Sequence, residues 1–358
     1  MKAPSKPKQI LPFSEILLKW NKKSNNRKMP WKGEKDPYKI WLSEIILQQT
    51  RVEQGLIYYQ RFIKAFPNVH KLANAPDQKI YKYWEGLGYY SRCKNLIETA
   101  RYISKTLNGA FPRTYDELRK LKGIGPYTAA AVASFAFNEP HAVLDGNVFR
   151  ILARLFEIND PIDSGAGKKV FTQLANLLLD GKQPGIYNQA IMDFGAVICK
   201  PAPVCGQCPF TRYCKAFLHE KIHLLPVKSK KLLVKKRWFT YILFEHKEQL
   251  AIRQRIENDI WHNLFEFLLI ESASGLDEKG VLKELRKGNW RGKQNFKSIN
   301  FSDVFRQKLT HQVIEGRFAS IELQQKMNLD KDLFWIKKTD IKNYAFPKFI
   351  IQYLLKRQ

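Results

Sequence analysis

The chain has 358 residues, 44% of them hydrophobic and 13% aromatic, and its 61 Lys and Arg outnumber 33 Asp and Glu to give a formal charge of +28. The length is enough for about two domains, each able to bury its own core, and the composition excludes a disordered or fibrous chain. The charge points to a polyanion held in a salt-sensitive way, with nucleic acid ahead of an anionic membrane surface.

The opening segment "MKAPSKPKQILPFSEILLKW" carries basic residues but no uninterrupted apolar core and no small-residue cleavage site, so it does not read as a signal peptide. No stretch approaches the roughly 20 apolar residues of a membrane helix. A soluble intracellular protein is expected, in which clustered cysteines serve as metal ligands more readily than as disulfides.

From Tyr38 to about Phe217 apolar residues recur at spacings of three and four, which predicts a mainly α region. The clearest helical stretches are "YKIWLSEIILQQ", "KIYKYWEGLG", "SRCKNLIETARYISKTL", "TYDELRKL", "YTAAAVASFAF", "VFRILARLF" and "GKKVFTQLANLLL". The run "PVKSKKLLVKKR", residues 226–237, has six basic residues and no acid and reads as a linker between domains at 1–225 and 238–358. Beyond it "RWFTYILFEH", "QLAIRQRI" and "FEFLLIE" read as strands, and "GVLKELRKG" and "FPKFIIQYLLKRQ" as helices, so the second domain is expected to be α+β.

In "LKGIGPYTAAAVASFAF" the pattern predicts helix, hairpin, helix. Thr114 and Glu117 form a capping-box signature for the first helix. Gly123 and Gly125 permit a sharp reversal, and Pro126 suits the first turn of the second helix. The exposed N–H groups of such a turn suit a phosphate; a plain helix–helix connection fits the stretch equally well.

Cys199, Cys205, Cys208 and Cys214 give C-x5-C-x2-C-x5-C, a compact loop at 199–214 whose spacing favours an iron–sulfur cluster over zinc. Cys93, in a helical pattern, reads as a buried apolar residue. Glu44 shares its helix face with Ile40, Trp41, Leu47 and Gln48, an environment that raises a carboxyl pKa and suits a general acid, although a surface helix Glu fits the pattern as well. Asp145 precedes a helical run, where an N-cap is the commonest role, and Asn147 stands close enough to bond its carboxylate.

Together the stretches "MPWK", "DPYKIWLSEIILQQTRV", "YWEGLGYYSRCKNL", "LKGIGPYTAAAVASFAF", "LDGNVFRILARLF", "YNQAIMDFGAVIC" and the four cysteines resemble the adenine DNA glycosylases of the MutY type, within the helix-hairpin-helix superfamily. The resemblance implies a monofunctional enzyme of base excision repair with a [4Fe-4S] cluster, cytoplasmic, bacterial and DNA-associated; a monomer is the default expectation. Its implied reaction hydrolyses the N-glycosidic bond of an adenine mispaired with 8-oxoguanine or guanine and flipped out of the duplex. Glu44 would protonate adenine at N7 and activate water, Asp145 would stabilise the cationic sugar, and Tyr127 and Asn147 would position them.

By the same resemblance Arg27, Trp31 and Gln189 surround the adenine, and Gln49, Thr50, Leu87 and Tyr89 enter the helix around the opposite base. Trp31 and Leu87 also read as plain core residues. The second domain resembles a Nudix-like 8-oxoguanine recognition domain in which "LTHQ" offers Thr310 and His311, without a glutamate-rich hydrolase box. Two departures stand out: the first cysteine gap is five, and Phe149 replaces a basic residue. An endonuclease III-type glycosylase and lyase shares the hairpin, the Asp and the cluster, but its Schiff base needs a lysine where this chain has Tyr127.

Overall fold

The structure is a computed structural model that describes residues 12–229, 234–287, 296–326 and 332–357, without the side chains of 296–298. Over these residues the chain divides into two compact units, within Met1–Asn74 plus Asn95–Lys230 and within Ala75–Lys94 plus Lys231–Gln358. Part of the basic linker lies outside the described residues.

The chain up to residue 229 is helical: α1 Phe13–Ser24, α2 Pro37–Leu47, α3 Val52–Ala65, α4 Val69–Ala73, α5 Asp77–Trp84, α6 Tyr90–Lys105, α7 Tyr115–Lys120, α8 Pro126–Phe137, α9 Gly146–Phe156, α10 Gly165–Leu178, α11 Pro184–Val197 and α12 Lys215–Leu218. The periodicity reading starts at Tyr38 and so passes over α1, whose Phe13, Leu17 and Trp20 lie on one face at helical spacing and are buried. They pack with Val148, Ile151, Leu152, Tyr187 and Phe194 of α9 and α11 in a single core. Phe149 meets Phe171 edge to face at 5.1 Å, so the ring that stands in place of a basic residue serves packing. Cys93 is fully buried.

The hairpin follows from local chemistry. Thr114 Oγ1 accepts from Glu117 N–H at 3.3 Å, the N-cap half of the expected capping box, but the Glu117 carboxylate accepts from the Thr114 hydroxyl at 2.9 Å rather than from the Thr114 backbone N–H. Gly123 turns the chain at φ +75°, where a Cβ would also stand 2.6 Å from Cβ of Asn95. Gly125 departs from expectation: it is the extended N-cap of α8 at φ −81°, a conformation open to any residue. Nothing lies within 4 Å of where its Cβ would be, so the chain is not bent there by necessity and a side chain would meet open space.

The second unit holds β1 Lys235–His246, β2 Gln249–Gln254, β3 Phe265–Glu266, β4 Leu268–Ser272, α13 Glu278–Lys287, β5 Phe296–Phe301, β6 Phe305–Lys308, β7 Gln312–Leu323, β8 Leu333–Lys337 and α14 Lys348–Arg357. One mixed sheet runs β3-β2-β1-β7-β5, with β4 on β1, β6 on β7 and β8 on β2. Among the described residues only β1 and β7 pair in parallel, Lys235 with Gln312 through Glu245 with Glu322. The observed class is the expected one, a helical helix-hairpin-helix domain and an α+β sheet domain.

The second unit also takes in Ala75–Lys94, which carries α5. Lys82 Nζ donates to Tyr344 O at 2.9 Å, Phe346 N–H to Glu85 Oε1 at 2.8 Å, and Asn263 Nδ2 to Tyr81 Oη at 2.9 Å. Among the described residues no helix is long and apolar enough to cross a membrane.

Candidate active site

Helix α2 delivers Glu44. Asp36 caps the helix through Tyr38 N–H and Pro37 occupies its first turn, so the chain enters α2 in one orientation and turns Glu44 inward, where it is 5% exposed. Tyr127, in the first turn of α8, donates from its hydroxyl to Glu44 Oε2 at 2.7 Å. Burial pushes the Glu44 carboxyl up to about 7; the Tyr127 hydrogen bond opposes that rise, and the nearby Asp145 charge adds to it. Burial, with the neighbouring Glu44 and Asp145 charges, also raises the Tyr127 phenol, so it stays a hydrogen-bond donor.

Asp145 does two jobs at once. It caps α9, with Oδ1 accepting from the N–H groups of Asn147 and Val148 at 2.9 and 2.8 Å. Oδ2 accepts from Asn147 Nδ2 at 2.8 Å. Burial raises its pKa above the ordinary value, while these donors and the Arg150 cation pull back toward the ionised form. Arg150 Nη2 donates to Asn147 Oδ1 at 2.8 Å, which turns the amide's NH₂ toward Asp145. The N-cap and site readings of Asp145 are therefore compatible.

A cavity of about 180 Å³ opens on Glu44, lined by Asn21, Trp31, Lys32, Ser43, Ile186 and Gln189 among others. Trp31 is held edge to face by Tyr59 at 5.4 Å. Arg27 is not among the residues lining this cavity; it is paired with Asp193 at 2.9 Å. Asp193, Lys32, Asn25 and Asn21 escape sequence reasoning, and the acidic residue in the apolar run "AIMDFGAV" was the only sign of them.

Gln49 leaves α2 in the left-handed region at φ 55° and is exposed, with Thr50 half-buried beside it. In the second unit Leu87 is buried at 7% exposure. Tyr89, at φ 48° and exposed, forms a short hydrogen bond between its hydroxyl and Thr310 Oγ1. Thr310 and His311 occupy the exposed turn between β6 and β7.

The four clustered cysteines are free thiols that line one cavity with Ile198, Val204, Phe217 and Ile222. Among the described residues no three His, Cys, Asp or Glu side chains are gathered tightly enough to hold one metal ion. Burial pushes the Cys208 thiol up to about 11 and raises those of Cys199 and Cys214, so a cationic group must displace their protons on binding. Arg154 anchors the loop to α9: it donates to the carbonyls of Lys200, Pro201 and Leu225 at 2.8, 3.0 and 3.2 Å and lies 3.8 Å from Cys199 Sγ.

Residues 42–175 match the family described as HhH-GPD superfamily base excision DNA repair protein. The chain is 35% identical over 303 residues to an adenine DNA glycosylase of Buchnera aphidicola subsp. Baizongia pistaciae (strain Bp), covering 84% of this chain and 83% of that protein. It is 38% identical over 218 residues to the adenine DNA glycosylase of Homo sapiens, 58% of this chain and 40% of that one. Among solved structures, that of a thermostable thymine-DNA glycosylase superposes with a TM-score of 0.53 at 30% identity, over 58% of this chain and 95% of that one.

Proposed function

Since the chain belongs to the adenine DNA glycosylases of the helix-hairpin-helix base excision repair superfamily, we propose that it hydrolyses the N-glycosidic bond of adenine mispaired with 8-oxoguanine or guanine and stops at the abasic site. The observation that carries this reading is the Tyr127–Glu44 hydrogen bond at a carboxyl whose pKa is about 7, beside Asp145. A phenol stands where a lyase requires an amine.

Glu44, half protonated near neutral pH, donates its proton to N7 of the extruded adenine. The electron pair of the glycosidic bond then leaves with the base, and the sugar acquires oxocarbenium character. Asp145, held toward its ionised form by Asn147, Arg150 and the α9 N-terminus, stabilises that cation. Glu44, now a carboxylate, takes a proton from the water that adds to the sugar. Trp31, Gln189 and Arg27 pack and orient the base, while Gln49, Thr50, Leu87 and Tyr89 act at the opposite base.

Gly123 and Gly125 leave the α8 N-terminus open to a DNA phosphate. Thr310 and His311 contribute contacts to 8-oxoguanine. Cys199, Cys205, Cys208 and Cys214 would hold a [4Fe-4S] cluster, which when bound supplies four iron–thiolate links that tie the loop at 199–214 together. The protein acts as a monomer on double-stranded DNA in the cytoplasm.

Glycosylase assays on duplexes with adenine opposite 8-oxoguanine, guanine or thymine test the reading. Release from the first two and not the third, without strand cleavage or borohydride-trappable adduct, is expected. Efficient trapping coupled to cleavage, or a preference for a damaged pyrimidine, overturns it.

A further inference from the structure

We propose that Asp193 is a positioning residue that fixes the hydrogen-bond polarity of the base pocket and so selects a 6-aminopurine over a 6-oxopurine. The inference rests on the adenine reading above and adds the device that enforces it. Asp193 is fully buried on α11 and receives four donors: Arg27 Nη1 at 2.9 Å and Gln189 Nε2 at 3.0 Å on Oδ1, Lys32 Nζ at 3.0 Å and Asn25 Nδ2 at 2.9 Å on Oδ2.

A carboxylate paired with two cations accepts and does not donate. Both amides that meet it must present their NH₂ groups. Their orientation is dictated by chemistry, although the two ends of an amide are nearly alike in shape.

Two consequences reach the cavity. Gln189 spends a donor on Asp193, which leaves its carbonyl Oε1 without a partner among the described residues. Asn25 donates from the same Nδ2 to Asn21 Oδ1 at 2.7 Å, while its own Oδ1 accepts Arg27 N–H at 3.1 Å. Asn21 therefore has its carbonyl used and, among the described residues, its NH₂ uncommitted. Gln189 and Asn21 line the same cavity as Glu44, so the Asp193 network adds one acceptor and one donor of fixed polarity to a lining that also holds Lys32, Ser43 and Glu44.

Adenine presents the complement on either edge: a 6-amino donor beside a ring nitrogen acceptor. Hypoxanthine presents an oxygen at position 6, which meets the Gln189 carbonyl acceptor to acceptor. A site built to hydrogen-bond one group rejects the analogue that leaves its polar atoms unpaired.

The test measures single-turnover release of adenine and hypoxanthine opposite 8-oxoguanine by the full chain. Asn21→Asp keeps the carbonyl oxygen that Asn25 needs but exchanges the pocket donor for an acceptor. It is expected to lower the adenine-to-hypoxanthine rate ratio at least about tenfold. Asp193→Asn, which frees Gln189 to turn over, is expected to lower the same ratio, with thermal melting as the folding control.

An unchanged ratio in Asn21→Asp, or equal loss on both bases in both variants, overturns the proposal, because a purely structural role slows both bases alike. Wild-type protein that releases no adenine from any duplex overturns the adenine reading itself and this inference with it. Wild-type release with an unshifted ratio in the variants removes the polarity inference alone.

Discussion

The Tyr127 hydroxyl donates to Glu44 Oε2 at 2.7 Å, joining the first turn of the hairpin's second helix to a carboxyl buried on α2. The bond favours the ionised carboxylate and opposes the burial that lifts its pKa to about 7. Removing it in Tyr127→Phe therefore raises that pKa further. The alkaline limb of the single-turnover rate should move up by about 0.5 to 1 pH unit, the equivalent of one hydrogen bond of roughly 1 kcal/mol. A limb that stays put or moves to lower pH would rule out this control.

Glu44 also links pH to stability. Its pKa rises on folding from 4.5 to about 7, so between those values the folded protein holds a proton that the unfolded chain has released. Stability falls as pH rises through that window. Glu44→Gln removes the effect, and at pH 8 it should stabilise the protein by on the order of 3 kcal/mol, an advantage that disappears near pH 4. Melting curves at the two pH values decide this, and an equal gap at both contradicts it.

Asp145 allows capping and chemistry to be separated. Asn caps a helix about as well as Asp, so Asp145→Asn should leave the melting temperature nearly unchanged, whereas Asp145→Ala loses about 1 kcal/mol. Both should abolish base release, because neither replacement carries the charge that meets an oxocarbenium ion. A glycosylase-active Asp145→Asn would show that the residue acts only as a cap.

The two hairpin glycines should behave differently. Gly123→Ala places a side chain at φ +75° and against Asn95, costing about 1 to 2 kcal/mol of stability. Gly125→Val fits the backbone and meets open space; it should leave melting within about 0.5 kcal/mol and weaken duplex binding by obstructing the exposed N–H groups. Binding unaffected by Gly125→Val would argue for a plain helix connection.

Arg154→Met strips two carbonyls of the cysteine loop, those of Lys200 and Pro201, and that of Leu225 of their donor. Each unsatisfied carbonyl costs about 1 kcal/mol or more, so a loss of roughly 3 kcal/mol is expected. If the loop holds the proposed cluster, iron and sulfide content should fall in parallel. Full content with unchanged melting would dissociate the anchor from the cluster.

Much of this was legible in the chain because it is written in short-range chemistry. The capping box at Thr114 and Glu117, the proline at the start of α8, the cap at Asp145 and the four-cysteine spacing each lie within a few residues, where backbone geometry and hydrogen-bond reach determine the outcome. Gly125 shows the limit: a glycine beside a turn reads as a bend, and only the dihedral angles reveal an extended residue that leaves a helix end bare.

The sequence by itself determined the helix-hairpin-helix elements, the α+β character of the C-terminal part and the candidate carboxylates, since periodicity, caps and spacing are local. Tertiary structure decided what those carboxylates are. Desolvation is a property of packing, so the pKa of Glu44 depends on α2 being covered and on Asp145 coming near it from another helix. Asp193 is the sharper case: its donors come from the segment after α1 and from α11. A carboxylate can impose polarity on a pocket only once folding has brought those donors to it.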